Sequence, residues 1–239
     1  MKQSELPRFN LPTIEASLNN FLQEFTKIND TLAMRREDFT PIMVSNILEA
    51  YKFLNTLLDQ RMDLFTPAGL HNLLEMNHLV LCGSNQETRG QYYQHLTETR
   101  KSFLKKIKPI KEWVLEKKSS ADPYKLASGF YSRMLSQPQL FLEGNHRTGN
   151  ILLNYLLISK GAAPYIAHPS DAKIYLDISG DIKFTNKENT LDNTIKMPGH
   201  RKRFQEFLKT YTKQEYLCSS DSPFLHFFSR CWVLVGSLA

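Results

Sequence analysis

Ten consecutive residues carry the densest chemistry in this chain: Phe141-Leu142-Glu143-Gly144-Asn145-His146-Arg147-Thr148-Gly149-Asn150. They run straight into an apolar helical segment, Ile151 to Ser159. Two glycines, two asparagines, an acid, an arginine and a threonine at a helix start describe an anion cradle. Glycines let backbone N–H groups turn toward one point, and a helix N-terminus adds partial positive charge. Arg147 can add a bidentate charged clamp. Glu143, just before the cradle, can hold a hard cation such as Mg²⁺, which a polyphosphate would bring with it. The same residue types also serve as ordinary turn and cap residues, so a purely structural reading stands beside phosphate binding.

The elements that must position these residues read as helices. Apolar residues recur at helical spacing from Ile14 to Ile28. Thr40-Pro41 is a cap followed by proline at the first helical position, opening Ile42 to Leu58, and Thr66-Pro67 repeats the signal for Ala68 to Leu81. Cys82-Gly83 ends that segment. Glu87 to Lys118 reads as one long helix or two shorter ones broken at Pro109, and Asp122-Pro123 opens another through Leu135. The cradle helix stops at Gly161. A short helix from Ser170 to Leu176 leads to a turn at Ser179-Gly180-Asp181, with a weak hairpin candidate at Asp181 to Thr185. Gly199 precedes a last helix, Arg201 to Tyr216. The expectation is an all-α domain of 239 residues with the cradle opening a central buried helix. It divides into an N-terminal helical extension (1–43), a main domain (44–217) and an apolar tail (218–239).

Charge and cysteine content bound the partners. The formal charge of +6 is modest, and much of it lies between Arg100 and Lys118. Glu98, Glu112 and Glu116 dilute that run, which reads as a solvated helix face rather than a nucleic-acid contact. Cys82, Cys218 and Cys231 are widely separated and in no ligand spacing, which fits a reducing compartment. Met1 to Glu15 holds charges and prolines but no apolar run, so no secretory signal is visible, and a cytoplasmic bacterial protein is expected. Delivery into another cell stays open. Phe224 to Leu238 is apolar, interrupted by Arg230 and shorter than a membrane span needs. A docked segment is the first reading of it, a membrane or partner contact the second.

With the cradle between two capped helices, the chain resembles Fic-type (fido) domains, which carry His-Pro-Phe-x-(Asp/Glu)-Gly-Asn-Gly-Arg-x-x-Arg at a helix start. Phe141, Glu143, Gly144, Asn145 and Arg147 match that pattern position for position. Leu152, Leu153, Asn154 and Leu156 resemble the family's following helix, and Leu70-His71-Asn72-Leu73-Leu74 resembles its earlier core helix, with His71 expected in the core. Tyr175-Leu176 resembles a segment whose tyrosine lies near the adenine. The resemblance implies a Fic-type helical bundle that binds a nucleotide such as ATP with Mg²⁺ on Glu143. Its implied activity is transfer of AMP, or a related phosphate-linked group, to a Ser, Thr or Tyr hydroxyl of a target protein. In that scheme Gly144, Asn145, His146, Arg147, Thr148, Gly149 and Asn150 cradle the phosphates, the acid holds the metal, and a histidine takes the hydroxyl proton.

The departures bear on that chemistry. The family's histidine falls on Gln139, whose amide can orient a hydroxyl but cannot accept its proton. The proline falls on Leu140, the third cradle residue is His146 instead of glycine, and the last arginine is Asn150. His146 has a pKa class suited to a base, yet by sequence it sits on the far side of the cradle from position 139 and reads first as a capping or packing residue. General-base assistance is worth about 10²–10⁴-fold in rate, so a slow, altered or absent transferase is implied. Some family members are restrained by Ser/Thr-x-x-x-Glu-Gly/Asn on a helix, and Ser45 and Glu49 fit that spacing, with Ala50 after them. With Asn150 in place of the arginine, the restraining ion pair is lost. Glu49 reads as a solvated helix residue or as a partner of Arg147. Two functions remain: a degenerate Fic-type transferase, and a catalytically inactive nucleotide- or protein-binding module on the same fold.

Overall fold

A computed structural model describes residues 6–119 and 121–218 of the chain. Nine α-helices form among the described residues, with no strand pairing beyond two isolated bridges, Phe9 with Leu217 and Gln137 with Asn186. The helices are α1 (Leu11–Asp30), α2 (Pro41–Asp59), α3 (Gly69–Cys82), α4 (Gln86–Gln91) and α5 (Tyr93–Lys117). They continue with α6 (Pro123–Leu135), α7 (Asn145–Ser159), α8 (Pro169–Phe184) and α9 (Met197–Tyr211). The fold is all-α, as the periodicity predicts.

Side-chain caps explain most of the starts. The Thr40 hydroxyl accepts the Met43 N–H at 3.4 Å, and the Asp122 carboxylate accepts those of Tyr124 and Lys125 at 3.1 and 3.0 Å. Gly83 and Gly161 take φ of 65° and 75° after α3 and after α7, the left-handed geometry expected of helix stops. Thr66 accepts the Gly69 N–H at 3.2 Å, so α3 starts one residue later than the Thr-Pro signal suggests.

Three expectations fail. The break between Glu87 and Lys118 falls at Tyr92, and Pro109 lies inside α5. Proline is tolerated there because it sits on the exposed side, while Phe103, Ile107, Ile110 and Val114 keep one unbroken apolar stripe against the core. The turn and hairpin at 179–185 are absent, and α8 runs straight through them. Gly180 serves a different need: a Cβ at that position would collide with the Arg36 guanidinium, which lies across α8. His71, expected in the core, is exposed.

The packing forms two apolar clusters. One gathers α2, α3, α5, α6 and α7 around Leu54, Val80, Phe103, Phe130 and Leu152, all nearly inaccessible to water. The other joins α1, α6, α8 and α9 around Phe21, Tyr131, Ile182 and Phe204. Helix α7 serves both, with Leu152 and Leu156 in the first and Leu153 and Leu157 in the second. A helix apolar all round is a buried one. The Phe224–Leu238 tail lies outside the described residues.

Candidate functional site

The loop before α7 is built by its own polar side chains. Asn145, 5% exposed, accepts the Phe141 N–H at 3.0 Å and donates back to the Phe141 carbonyl at 2.9 Å. That closes the loop and stacks Phe141 on Phe103, ring centroids 5.5 Å apart and nearly parallel. Asn77, wholly buried, donates to the Glu143 carbonyl and to the Thr148 hydroxyl, both at 3.0 Å. Gly144 takes φ 71°, and a Cβ there would meet Asn77 Nδ2 at 3.1 Å. Both conformation and space call for glycine at this position. Among the described residues no side chain caps α7, so its leading N–H groups have no capping partner there.

Above this start lies a cavity of about 430 Å³. Gln139, Glu143, Gly144, Asn145, His146, Arg147, Asn150 and Tyr175 line it, so the structure brings together most residues marked in the sequence. Arg147 donates to the Val80 carbonyl at 3.2 Å and lies 3.7 Å from the Glu37 carboxylate. Burial, rather than its neighbours, holds its pKa below the ordinary arginine value. Tyr175 is 5% exposed and shares a 2.9 Å hydrogen bond between hydroxyls with Tyr131. Burial pushes its phenol up to about 12.

Other expected residues do different work. Thr148 is inaccessible and spends its hydroxyl on Asn77. Gly149 packs against Tyr131 and Met134, where a Cβ would approach to 3.0 Å. Neither lines the cavity; both let α7 pack tightly. Ser45 is exposed on α2, and Glu49 accepts the Ser84 N–H at 2.8 Å, so it holds the turn after α3 rather than meeting Arg147.

Position 139 and His146 are the two places where the sequence could offer a proton acceptor. Gln139 Nε2 donates to the Leu135 carbonyl at 3.1 Å, and Asn145 Nδ2 approaches Gln139 Oε1 at 3.5 Å. His146 Nδ1 lies 3.3 Å from the Tyr131 hydroxyl, while its Nε2 is shielded from water and has no partner among the described residues. Burial, aided by the cations Arg36, Lys183 and Arg147, lowers its pKa to about 3. The ring is therefore neutral at physiological pH and a poor proton acceptor.

Sequence reasoning missed one wall. The Arg35–Phe39 segment between α1 and α2 lines the cavity, together with Tyr51 and Lys183. Arg36 Nη2 donates to the Leu176 carbonyl at 2.8 Å, and its Nε has no partner among the described residues. The Asn150 amide nitrogen also lacks one; its oxygen faces the Tyr51 hydroxyl at 3.3 Å. The charged run Arg35-Arg36-Glu37-Asp38 was the available signal, but nothing local in it shows which helix it will lie against.

Glu143 lies at the mouth with its side chain 63% exposed, Oε2 4.0 Å from His95 Nε2. No three His, Cys, Asp or Glu side chains cluster as metal ligands among the described residues. A lone accessible carboxylate beside an anion cradle fits Mg²⁺, which shares its ligands with phosphates and water, better than a cation needing a closed protein cage. Among the described residues no helix is long and apolar enough to cross a membrane. Compared with protein-family models, curated proteins and solved structures, the chain matches none.

Proposed function

We propose that the cavity at the start of α7 holds the di- or triphosphate of a nucleotide, on a Fic-like scaffold whose transfer chemistry lacks its usual proton acceptor. One observation carries this reading. Arg147, the uncapped start of α7, and Arg36, His146 and Asn150, each with a buried side-chain nitrogen that has no partner among the described residues, line one cavity. Buried polar groups left unpaired cost about 1–3 kcal/mol each, and an anion's oxygens would satisfy the N–H donors of Arg36 and Asn150. Arg147 and the leading N–H groups of α7 bind the phosphates, Glu143 would hold Mg²⁺, and Tyr175 walls the side where a base would lie. Mg²⁺, when bound, would neutralise phosphate charge and favour departure of the leaving group.

Transfer of AMP to a Ser, Thr or Tyr hydroxyl of a protein requires that hydroxyl to lose a proton. Gln139 can hold the hydroxyl but cannot take the proton, and the His146 ring is a weak base. This supports slow AMP transfer, and it equally favours a second reading, a non-catalytic nucleotide-binding module.

Thermal unfolding with ATP and Mg²⁺ tests the binding step. ATP is expected to raise the midpoint for wild type and to leave Arg147→Ala unmoved; no shift for wild type overturns the proposal. Radiolabelled ATP then separates the two readings. Label passing from the α-phosphate to protein, and lost in Arg147→Ala, establishes AMP transfer. Label passing only from the γ position means phosphoryl transfer. Binding without either label leaves the non-catalytic module.

A further inference from the structure

A second cavity, about 390 Å³, opens among α5, α6 and the segment that enters α9. Its walls hold five cationic side chains, Lys105, Lys106, Arg133, Lys187 and Arg201, against one carboxylate, Glu188. Like charges do not gather around a concavity without cost, and Glu188 on the wall, with Glu116 acting on Arg133, offsets them only in part. Burial lowers the pKa of Arg133 to about 10, with Arg201 adding to the effect, and lowers Lys187 to about 8, with Lys106 adding to it. Arg201 is lowered by burial too. All three are thus held charged against their surroundings at neutral pH.

The hydrogen bonds show which donors are engaged. Lys187 Nζ is spent on the carbonyls of Arg133, Ser136 and Pro138, at 2.7, 3.2 and 2.7 Å. Lys106 Nζ donates to the Gln139 carbonyl at 2.7 Å. The two arginines are underused. Arg133 stacks over Trp113 and donates Nη1 to the Gly129 carbonyl, while Arg201 donates Nε to the Ser132 hydroxyl at 3.1 Å. Most of their planar N–H forks stay uncommitted, the geometry that takes phosphate oxygens in pairs. Independently, Ser136 lines the same cavity, is 1% exposed, and its hydroxyl has no partner among the described residues. A hydroxyl that buried lacks something to bond.

We propose that this second cavity binds a small molecule carrying two or more linked phosphates, gripped by Arg133 and Arg201, approached by Lys105 and hydrogen-bonded by Ser136. Five cations against one acid call for a ligand of several negative charges in little space. The concave site suits a small molecule better than a nucleic-acid backbone, which needs an extended basic track.

The probe is inorganic pyrophosphate, titrated calorimetrically into the full chain. The Arg147→Ala background isolates this cavity from the one at α7. In that background pyrophosphate is expected to bind, and Arg201→Gln and Lys105→Gln each to weaken it by tenfold or more. Lys105 is exposed and makes no hydrogen bond or ion pair among the described residues, so Lys105→Gln reports on binding even if Arg201→Gln perturbs packing. Ser136→Ala is expected to weaken it severalfold. Absence of binding in the Arg147→Ala background overturns the second site, whatever wild type does. So does binding that is indifferent to both Arg201→Gln and Lys105→Gln. A short single-stranded RNA that competes through those residues more tightly than pyrophosphate would overturn the small-molecule assignment.

Discussion

In the proposed transfer reaction, Gln139 is the residue on which activity would turn. Its amide is tied to the Leu135 carbonyl and to Asn145, so the position is already oriented toward the loop that lines the cavity. Gln139→His is expected to raise AMP transfer by about 10²–10⁴-fold, measured with α-labelled ATP. A silent variant would place the defect elsewhere in the site. His146 makes a separate prediction through stability. Its folded pKa is about 3, while an unfolded chain takes the proton near the ordinary 6.5. Between those values the unfolded state holds more protons, so stability present at neutral pH is lost as pH falls through that window. The loss is at most about 1.4 kcal/mol per pH unit. Urea unfolding from about pH 7 to about pH 5 is expected to show a slope that His146→Gln reduces; an equal slope in the variant would acquit this ring.

At the scale of elements, α8 shows what local pattern can and cannot say. Ser179-Gly180-Asp181 looks like a turn because glycine usually marks one, yet the glycine is there to make room for Arg36. That reason lives in a residue far away in sequence, so no window around position 180 contains it. The capped starts of α2 and α6 and the glycine stops after α3 and α7 were legible because each is written within four or five residues. The glycine turn into α7 was legible for the same reason, but the inward roles of Thr148 and Gly149 were not, since they depend on Asn77 and on α6. Gly180→Ala tests the long-range explanation. Alanine should add helix propensity of about 1 kcal/mol, offset by the lost bond from Arg36 to Leu176, so global stability changes little. Arg36 is displaced, however, and ATP-dependent stabilisation is expected to fall. Unchanged nucleotide stabilisation would mean that Arg36 is not a ligand.

Across the whole molecule, α1 joins the two cores, as α6 and α7 do. It contributes Ile14 and Leu18 to one, Phe21 and Phe25 to the other, and Phe21 and Phe25 also wall the cavity. Burying each such side chain is worth about 1.5–3 kcal/mol, and four of them together approach the roughly 5–15 kcal/mol that hold a typical domain folded. A chain lacking residues 1–30 is therefore expected to lose its cooperative thermal transition; a sharp transition retained would make α1 dispensable. The residues between the cavities have a consequence of another kind. Lys187 and Lys106 reach from the second cavity to the carbonyls of Arg133, Ser136, Pro138 and Gln139, the strand of backbone that delivers the motif to the first. An anion that draws either ammonium away loosens that backbone. The two proposed ligands, acting on one shared wall, would be thermodynamically linked, and linkage is reciprocal. Whatever factor pyrophosphate imposes on ATP affinity, ATP must impose on pyrophosphate, so titrations run from the two directions have to return one coupling constant.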